Sequence, residues 1–289
     1  MSATTFPQRL RDAARSAHTC LVVGLDPHWE ELPEGVRKGA PSPAQACETF
    51  ARGLLDACAG ACAGVKVQVA CFERFGSAGF AALERVLADA RARGILTIAD
   101  AKRGDIATSA RHYAQAFLAK GAPFESDALT IQSVFGADGV EPFAEALRAG
   151  KGLFALVRTS NPTAGEIQDL PVDGEPWHLH LARRVRAWGE PWRDGTGYSA
   201  LGAVVGATAL REAMTLREAT SGVWLLCPGI GAQGGDAAAV RSLADARGLG
   251  VLPVAARSIA FAFRETKKPD AWIEAARDAC RRHREMFPL

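Results

Sequence analysis

Short apolar runs alternate with longer amphipathic stretches along nearly the whole chain. Each run is rich in Val, Leu, Ile or Ala and is bounded by glycine or polar residues, as is typical of buried strands. The stretches between them repeat apolar residues at helical spacing. The predicted strands are residues 20–26, 64–69, 94–99, 128–131, 152–157, 202–206, 222–227 and 250–255. The predicted helices are residues 6–18, 43–60, 78–93, 108–120 and 140–149, followed by a Trp-bearing helix within 177–192.

Eight strands that alternate with helices predict an α/β protein with the (β/α)8, or TIM, barrel architecture. An open doubly wound sheet alternates in the same way, but the count of eight and the positions of the polar residues favour the barrel. Pro253 is unfavourable for the last strand, since proline donates no ladder hydrogen bond. No linker-like segment divides the chain. Residues 1–289 are therefore predicted to form a single domain with an N-terminal capping helix and an insertion near 163–200.

Candidate functional residues fall within or just after the carboxyl ends of the predicted strands. Barrel enzymes build their active sites at this end. The residues are Asp26, Lys66, Asp100, Lys102, Ser160, Pro228 and Arg257.

The charged residues that follow the third predicted strand include Asp100, Lys102 and Asp105. Residues i and i+2 of a strand face the same side, so Asp100 and Lys102 are predicted to project together. Asp105 lies beyond them in a loop that can reach another subunit. A surface salt bridge is the ordinary alternative. The apolar strand indicates burial on both faces, which places its charged end over the core and favours a functional site.

A glycine-rich segment follows the seventh predicted strand at residues 228–236, and Arg257 follows the eighth. The loops after strands seven and eight commonly bind phosphate in barrels, through backbone N–H groups. Arg257 would add a bidentate donor. A tight strand-to-helix turn is the alternative for the glycines alone. The pair of features predicts a monophosphorylated small-molecule ligand.

Composition excludes several classes of function. The formal charge of +2 over 289 residues provides no basic field for nucleic acid. The seven cysteines are scattered through apolar runs, which predicts reduced core thiols, no disulfide framework and no zinc site. The N-terminus lacks a signal-peptide core, and no apolar run has membrane-spanning length. We therefore expect a cytoplasmic protein that binds neither nucleic acid nor membrane.

Five sets of motifs, spread over nearly the full length, resemble the orotidine 5'-phosphate decarboxylase family. The most specific is Asp-x-Lys-x-x-Asp at residues 100–105, within Asp-Ala-Lys-Arg-Gly-Asp-Ile at 100–106. The others are Leu-Asp-Pro at 25–27, Val-Lys-Val-Gln at 65–68 with Phe-Glu-Arg-Phe-Gly at 72–76, Thr-Ser-Asn-Pro at 159–162, and the glycine-rich segment at 228–236. The motifs at 101–105 and 159–162 are similar to those of the family's bacterial subgroup with longer insertions.

The resemblance implies decarboxylation of orotidine 5'-phosphate to UMP and CO2 in de novo pyrimidine biosynthesis, without metal or organic cofactor. It implies that Lys102 donates a proton to the pyrimidine ring, with Lys66, Asp100 and Asp105 as its charged network. Asp105 is implied to enter from the neighbouring subunit of a homodimer. The implied substrate contacts are Asp26 and Lys66 with the ribose, Ser160 with the pyrimidine, Gln233 and Arg257 with the phosphate, and Pro228 beside the closing loop.

The chain departs from the family pattern at three places. Gln132 and Ser133 replace the usual Asn-Pro after the fourth strand. Ser109 stands for the family's substrate-binding threonine and keeps its hydroxyl but not its methyl group. Residues 255–256 are both alanine, which predicts a slightly remodelled phosphate pocket.

Three other functions remain open at this point. A keto-sugar-phosphate decarboxylase of the same superfamily uses a similar acid–lysine motif but requires a divalent metal. A Schiff-base aldolase places a lysine on a barrel strand with few carboxylates nearby. A non-catalytic barrel that binds phosphorylated ligands is the third, since fold does not dictate function.

Overall fold

The computed structural model describes residues 4–208, 213–231, 234–266 and 269–289. Its centre is a closed barrel of eight parallel strands. The strands are β1 (Val22–Leu25), β2 (Gly64–Gln68), β3 (Thr97–Arg103), β4 (Ala128–Ile131), β5 (Gly152–Arg158), β6 (Leu201–Val205), β7 (Leu225–Pro228) and β8 (Val251–Ala255).

Helices surround the barrel and connect successive strands. They are α1 (Phe6–Ala17), α2 (Glu34–Gly39), α3 (Pro43–Cys58), α4 (Ala70–Glu73), α5 (Gly76–Ala92), α6 (Ala107–Leu118), α7 (Ala144–Arg148), α8 (Gly165–Gln168), α9 (Trp177–Gly189), α10 (Ala213–Ala219), α11 (Ala237–Ser242), α12 (Arg257–Ala260) and α13 (Trp272–Met286). Within the four described ranges, none of them has the length and apolar character needed to cross a membrane.

Closure of the barrel confirms the predicted architecture over the open-sheet alternative. In β1, Val22 lies opposite Gly64 of β2 on one side and Val254 of β8 on the other. Pro253 lies within β8 opposite Cys227 without ending the strand. Apolar side chains of the strands and the inner helix faces form one continuous core, as burial of both sheet faces requires.

Strand β3 differs most from its prediction. The apolar pattern predicted residues 94–99, whereas β3 spans Thr97–Arg103 and includes both Asp100 and Lys102. The strand continues because side chains of β2 and β4 hold Asp100, and because the Lys102 N–H donates to Thr130 of β4. An apolar pattern along one segment does not reveal such contacts. The ladder between β3 and β4 shifts register between Ala99 and Arg103, so the charged end is irregular.

Helix α1 lies across the amino-terminal end of the barrel. Thr5 and Gln8 form a capping box at its start, which satisfies free backbone N–H groups there. The ring of Phe6 packs on Gly152, where a Cβ atom would lie 2.4 Å from the ring. Arg9 donates to Gly150 O at 2.7 Å and pairs with Asp127, which anchors the helix.

The predicted insertion begins after β5. It contains α8 and a short antiparallel pair, Pro171–Val172 with Glu175–Pro176, before α9 packs on the barrel. In the predicted helix 140–149, a 3-10 turn over Glu141–Phe143 precedes α7, and Pro142 within it has no backbone N–H to donate. Another 3-10 turn, Gly136–Gly139, lies just before the predicted start.

Candidate active site

A cavity of about 200 Å³ opens at the carboxyl ends of the barrel strands. Seven of the eight strands or their following loops contribute to it, since parallel strands bring their carboxyl ends to one face. Seven of the predicted site residues line this one cavity. They are Asp26, Lys66, Asp100, Lys102, Ser160, Pro228 and Arg257.

The carboxylate of Asp100 is the centre of the hydrogen bonding. Oδ2 accepts from Lys66 Nζ at 2.7 Å and from Gln68 Nε2 at 3.2 Å. Oδ1 accepts from Lys102 Nζ at 2.6 Å and from Thr130 Oγ1 at 3.0 Å. Burial by itself raises the pKa of Asp100, but the two ammonium groups more than offset it and hold the pKa far below its usual range. Asp100 is therefore ionised at neutral pH.

Lys66 is nearly enclosed, with 4% of its surface exposed. Its Nζ lies 3.5 Å from Asp26 Oδ1, in addition to the contact with Asp100. Burial lowers the pKa of Lys66, and the carboxylates of Asp26 and Asp100 outweigh this effect and raise the pKa well above its ordinary value. Lys66 is therefore a fixed positive charge within the barrel mouth.

Lys102 has a more accessible ammonium group, with 42% of the side chain exposed. Its backbone φ is +49°, a left-handed conformation that few residues other than glycine adopt. Thr130 Oγ1 accepts the Lys102 N–H at 2.9 Å while donating to Asp100. One hydroxyl therefore holds both the strained backbone and the central carboxylate.

We expect Thr130→Val to lower the free energy of unfolding by about 2 kcal/mol, since valine keeps the shape but leaves the Lys102 N–H without its acceptor and removes one donor from Asp100. Thr130→Ser is the matched control, because it keeps the hydroxyl and should lose less stability than valine does. Urea unfolding measures both. Equal losses in the two variants would mean that the methyl group, and not the hydroxyl, is what stabilises the site.

One carboxylate oxygen of Asp26 is buried beside Lys66. Among the described residues, Asp26 Oδ1 has no hydrogen-bond partner, although the charge of Lys66 lies nearby. Buried carboxylate oxygens are rarely left without a donor. The ammonium group of Lys66 is therefore the main electrostatic partner of this oxygen.

The opposite side of the cavity combines a cation with close backbone. Arg257 begins α12 directly after β8. Ala256 precedes it and approaches Gly24 of β1, where a Cβ atom would lie 2.4 Å from the Cβ of Ala256. The alanine at this departure from the family pattern therefore packs against a position that only glycine can occupy.

Pro228 ends β7 and leads into the glycine-rich segment. Gly229 has φ +109° and Gly231 has φ +80°, values that favour glycine strongly. These glycines therefore do shape a tight turn after β7, as the alternative interpretation of the segment predicted. Pro228, Gly229 and Ile230 also line the cavity. The predicted phosphate contact Gln233 lies outside the described residues.

Two predicted residues do not reach the cavity of their own chain. Asp105 lies in the loop after β3, where its Oδ1 accepts the N–H of Ile106 at 2.8 Å. Ser109 is exposed on α6. Gln132 and Ser133, which replace the family's usual Asn-Pro, lie in the loop after β4. Gln132 packs against Gly104, and the Ser133 hydroxyl donates to Leu156 O, which links this loop to β5.

Several residues in or around the site were not predicted from the sequence. Gln68 lies two positions beyond Lys66 on the same strand, so the alternation of β2 could have indicated it. No local sequence pattern indicates Thr130 or Gln168, because the residues that they contact lie on other strands and helices. In the part of the chain that is described, no group of three or more His, Cys, Asp or Glu is arranged to hold a metal ion.

Comparison with known proteins relates the chain to one family. Residues 19–268 match the model of the Orotidine 5'-phosphate decarboxylase / HUMPS family. Orotidine 5'-phosphate decarboxylase from Rhodopirellula baltica is 39% identical, covering 95% of this chain and 96% of the relative. The enzyme of that name from Thermomicrobium roseum is 37% identical, covering 98% and 95%.

Solved structures give the same relation. A putative orotidine 5'-phosphate decarboxylase from Streptomyces avermitilis has a TM-score of 0.81 at 34% identity, covering 99% of this chain and 96% of that one. A putative orotidine-monophosphate decarboxylase from Toxoplasma gondii has a TM-score of 0.81 at 30% identity and covers 99% of both chains.

Proposed function

The chain belongs to the Orotidine 5'-phosphate decarboxylase / HUMPS family, and from this premise we propose that it converts orotidine 5'-phosphate to UMP and CO2 in pyrimidine biosynthesis. The observation that carries the proposal is the Lys102 ammonium group, held 2.6 Å from Asp100 in the cavity that Arg257 also lines. One nucleotide in this cavity would meet a cation at its base and another at its phosphate.

The chemistry requires electrostatic stabilisation at one carbon. Loss of CO2 leaves an electron pair on ring carbon 6, in an orbital that the ring cannot delocalise. The Lys102 ammonium would stabilise this developing negative charge and then transfer its proton to the carbon. Each proton transferred is replaced from solvent, which the exposed fraction of Lys102 permits.

The charges around Lys102 keep the donor in place. Asp100 holds Lys102 at one oxygen and Lys66 at the other. Asp100 would also repel the substrate carboxylate, an effect that we rank below stabilisation by Lys102. With its carboxylate oxygens engaged by lysines and hydrogen bonds, the centre offers few free ligands to a divalent cation, which supports a reaction without metal or organic cofactor.

The remaining cavity residues would bind the rest of the nucleotide. Asp26 and Lys66, which both line the cavity, would contact the ribose hydroxyls. Ser160 would contact the pyrimidine. Arg257 and Gln233 would bind the phosphate, beside Pro228. Phosphate binding, remote from the reacting carbon, would supply energy to exclude water from the site.

We further propose a homodimer in which Asp105 and Ser109 enter the neighbouring site. Apolar side chains beside Asp105 are exposed in the single chain, with exposed fractions of 48% for Ile106, 64% for Val134 and 40% for Phe135. Such a patch is typical of an interface.

We also propose a cytoplasmic location. All seven cysteines are free, as is typical of proteins in a reducing compartment.

Mixed dimers test the shared site. Asp105→Ala and Lys102→Ala should each be nearly inactive alone, but random mixing should restore about a quarter of the wild-type activity, because half the dimers then contain one intact site. The measurement is decarboxylation after co-expression of the two chains. Mixed dimers that show only the summed activity of the separate variants would place both residues in the same chain's site.

The decisive experiment is the ultraviolet absorbance of orotidine 5'-phosphate incubated with pure protein and a chelator. We expect the substrate absorbance to decline at the same rate with and without chelator. A loss of activity with chelator would indicate the metal-dependent keto-sugar-phosphate type of enzyme. Inactivation by borohydride only in the presence of substrate would indicate a Schiff base, and no turnover at all would favour a binding protein.

Arg257→Ala should raise the Michaelis constant by about 10- to 100-fold, because charge-assisted hydrogen bonds to the phosphate are lost. The turnover number should fall less, since Arg257 lies away from the reacting carbon. Arg264→Ala is the matched control, as Arg264 pairs with Glu31 near the surface. An unchanged Michaelis constant in the Arg257 variant would contradict the phosphate contact.

A further inference from the structure

We infer that Gln168, in the segment between β5 and α9, is a positioning residue that holds Ser160 in place for the pyrimidine ring. The inference rests on the proposed function, and it assigns to the insertion a part in recognition of the base. Gln168 does not line the cavity itself. It acts through Arg158 and Thr159, which precede Ser160 and line the cavity with it.

The Gln168 side chain binds two consecutive residues at the end of β5. Its Oε1 accepts the Thr159 backbone N–H at 2.9 Å and Arg158 Nη1 at 3.1 Å. Its Nε2 donates to Thr159 Oγ1 at 2.8 Å. The Thr159 hydroxyl in turn donates to Asn161 Oδ1 at 2.6 Å. Both ends of one carboxamide therefore fix the residues before Ser160, and the Thr159 hydroxyl extends the contact to Asn161 after it.

Gln168 is itself held by the helix that follows. His178, in the first turn of α9, has its Nδ1 2.9 Å from Gln168 O and 3.2 Å from Asp169 Oδ1. Asp169 Oδ2 accepts from Arg158 Nη2 at 3.0 Å. A continuous set of polar contacts thus runs from the packed helix α9 through the insertion to the end of β5.

The other side of Ser160 is bounded by backbone. Gly206, after β6, donates to Arg158 O at 2.8 Å, and a Cβ atom at Gly206 would lie 2.8 Å from Ser160. Ser160 is therefore enclosed by β6 on one side and by the residues that Gln168 holds on the other. Loss of the carboxamide would free only the second side, so Ser160 could move while the barrel stays intact.

The test compares ligands with and without a base. Gln168→Leu should weaken UMP binding by about tenfold and leave ribose 5-phosphate binding within about twofold of wild type, because the phosphate side is untouched. Gln168→Glu keeps the acceptor oxygens, and the Thr159 hydroxyl can turn to donate to it, so UMP binding should stay within about threefold of wild type. Calorimetry gives both dissociation constants.

Gln115→Leu, on the outer helix α6, is the matched control for loss of a glutamine and should change neither constant. Equal weakening of both ligands by Gln168→Leu, or no weakening of UMP, would overturn the inference, and so would failure of Gln168→Glu to retain UMP affinity. A wild-type protein that binds ribose 5-phosphate but neither binds UMP nor decarboxylates its precursor would refute the proposed function itself, and the inference with it.

Discussion

Lys102→Ala should abolish decarboxylation of orotidine 5'-phosphate while leaving UMP bound. We expect the turnover number to fall by more than about 10⁴-fold, because the variant loses both the proton donor and the cation nearest the reacting carbon. Binding of UMP should change far less, since Arg257, Asp26 and Ser160 remain. Stopped assays at high enzyme concentration measure the residual rate, and calorimetry measures binding.

Lys38→Ala is the matched control for Lys102→Ala. Lys38 is exposed on α2 and pairs with Glu34, so its removal should leave the rate unchanged. Substantial decarboxylation by the Lys102 variant would refute its role as proton donor. A variant that fails to bind UMP would instead show that Lys102 serves mainly to hold the ligand.

Asp100→Asn should be the most damaging isosteric change in the protein. The amide cannot balance two ammonium groups, and Lys66 would remain buried with Asp26 3.5 Å away as its nearest acid. Leaving a buried charge without its partner costs about 3–5 kcal/mol of stability. We expect that loss at pH 7, together with a fall in turnover of more than about 10³-fold from misplacement of Lys102. Urea unfolding and rate assays measure the two effects.

Asp89→Asn is the matched control, since Asp89 on α5 also binds two cations, Arg52 and Arg93, but outside the barrel. Its loss should cost less than about 1 kcal/mol, because solvent screens the pairs. A similar loss of stability in both variants would contradict the inference that burial makes the Asp100 ion pairs contribute more to stability than those of Asp89.

The pH dependence of stability has a definite sign. The pKa of Asp100 is lowered by folding, so its stabilising effect is fully present above the unfolded pKa of about 3.9 and is lost as pH falls through the folded pKa. The stability difference between wild type and Asp100→Asn should therefore be constant from about pH 5 to 8 and smaller by about 1 kcal/mol at pH 3. The contribution of Lys66 to stability depends on pH in the opposite direction. Because folding raises its pKa, this contribution is fully present below the unfolded pKa of about 10.4 and is lost at higher pH.

Much of the barrel and its chemistry could be predicted from short segments. The 128–131 strand matches β4, and the residues Asp26, Lys66, Asp100 and Lys102 line one cavity as expected. These predictions succeed because the relevant physics is local. Apolar runs and side-chain alternation determine where a strand lies, and the parallel fold then brings the carboxyl ends together.

Other features could not be predicted in this way. The length of β3 depends on pairing between Arg103 and Ile131, and the conformation of Lys102 depends on a hydroxyl 28 residues further along the chain. Gln168 ends the short helix α8, and the His178 side chain of α9 contacts its backbone carbonyl. No periodicity within one segment carries information about partners on another.

The amino-acid sequence by itself determined the order of strands and helices, the identity of the charged residues and the end of the barrel at which they lie. Only the tertiary structure decided that Asp100 is shared by four donors, that Thr130 supports Lys102, and that the insertion reaches the Ser160 loop. The physical reason is that strand propensity and polarity act over neighbouring residues, whereas hydrogen bonds and burial depend on which distant residues the closed barrel brings together.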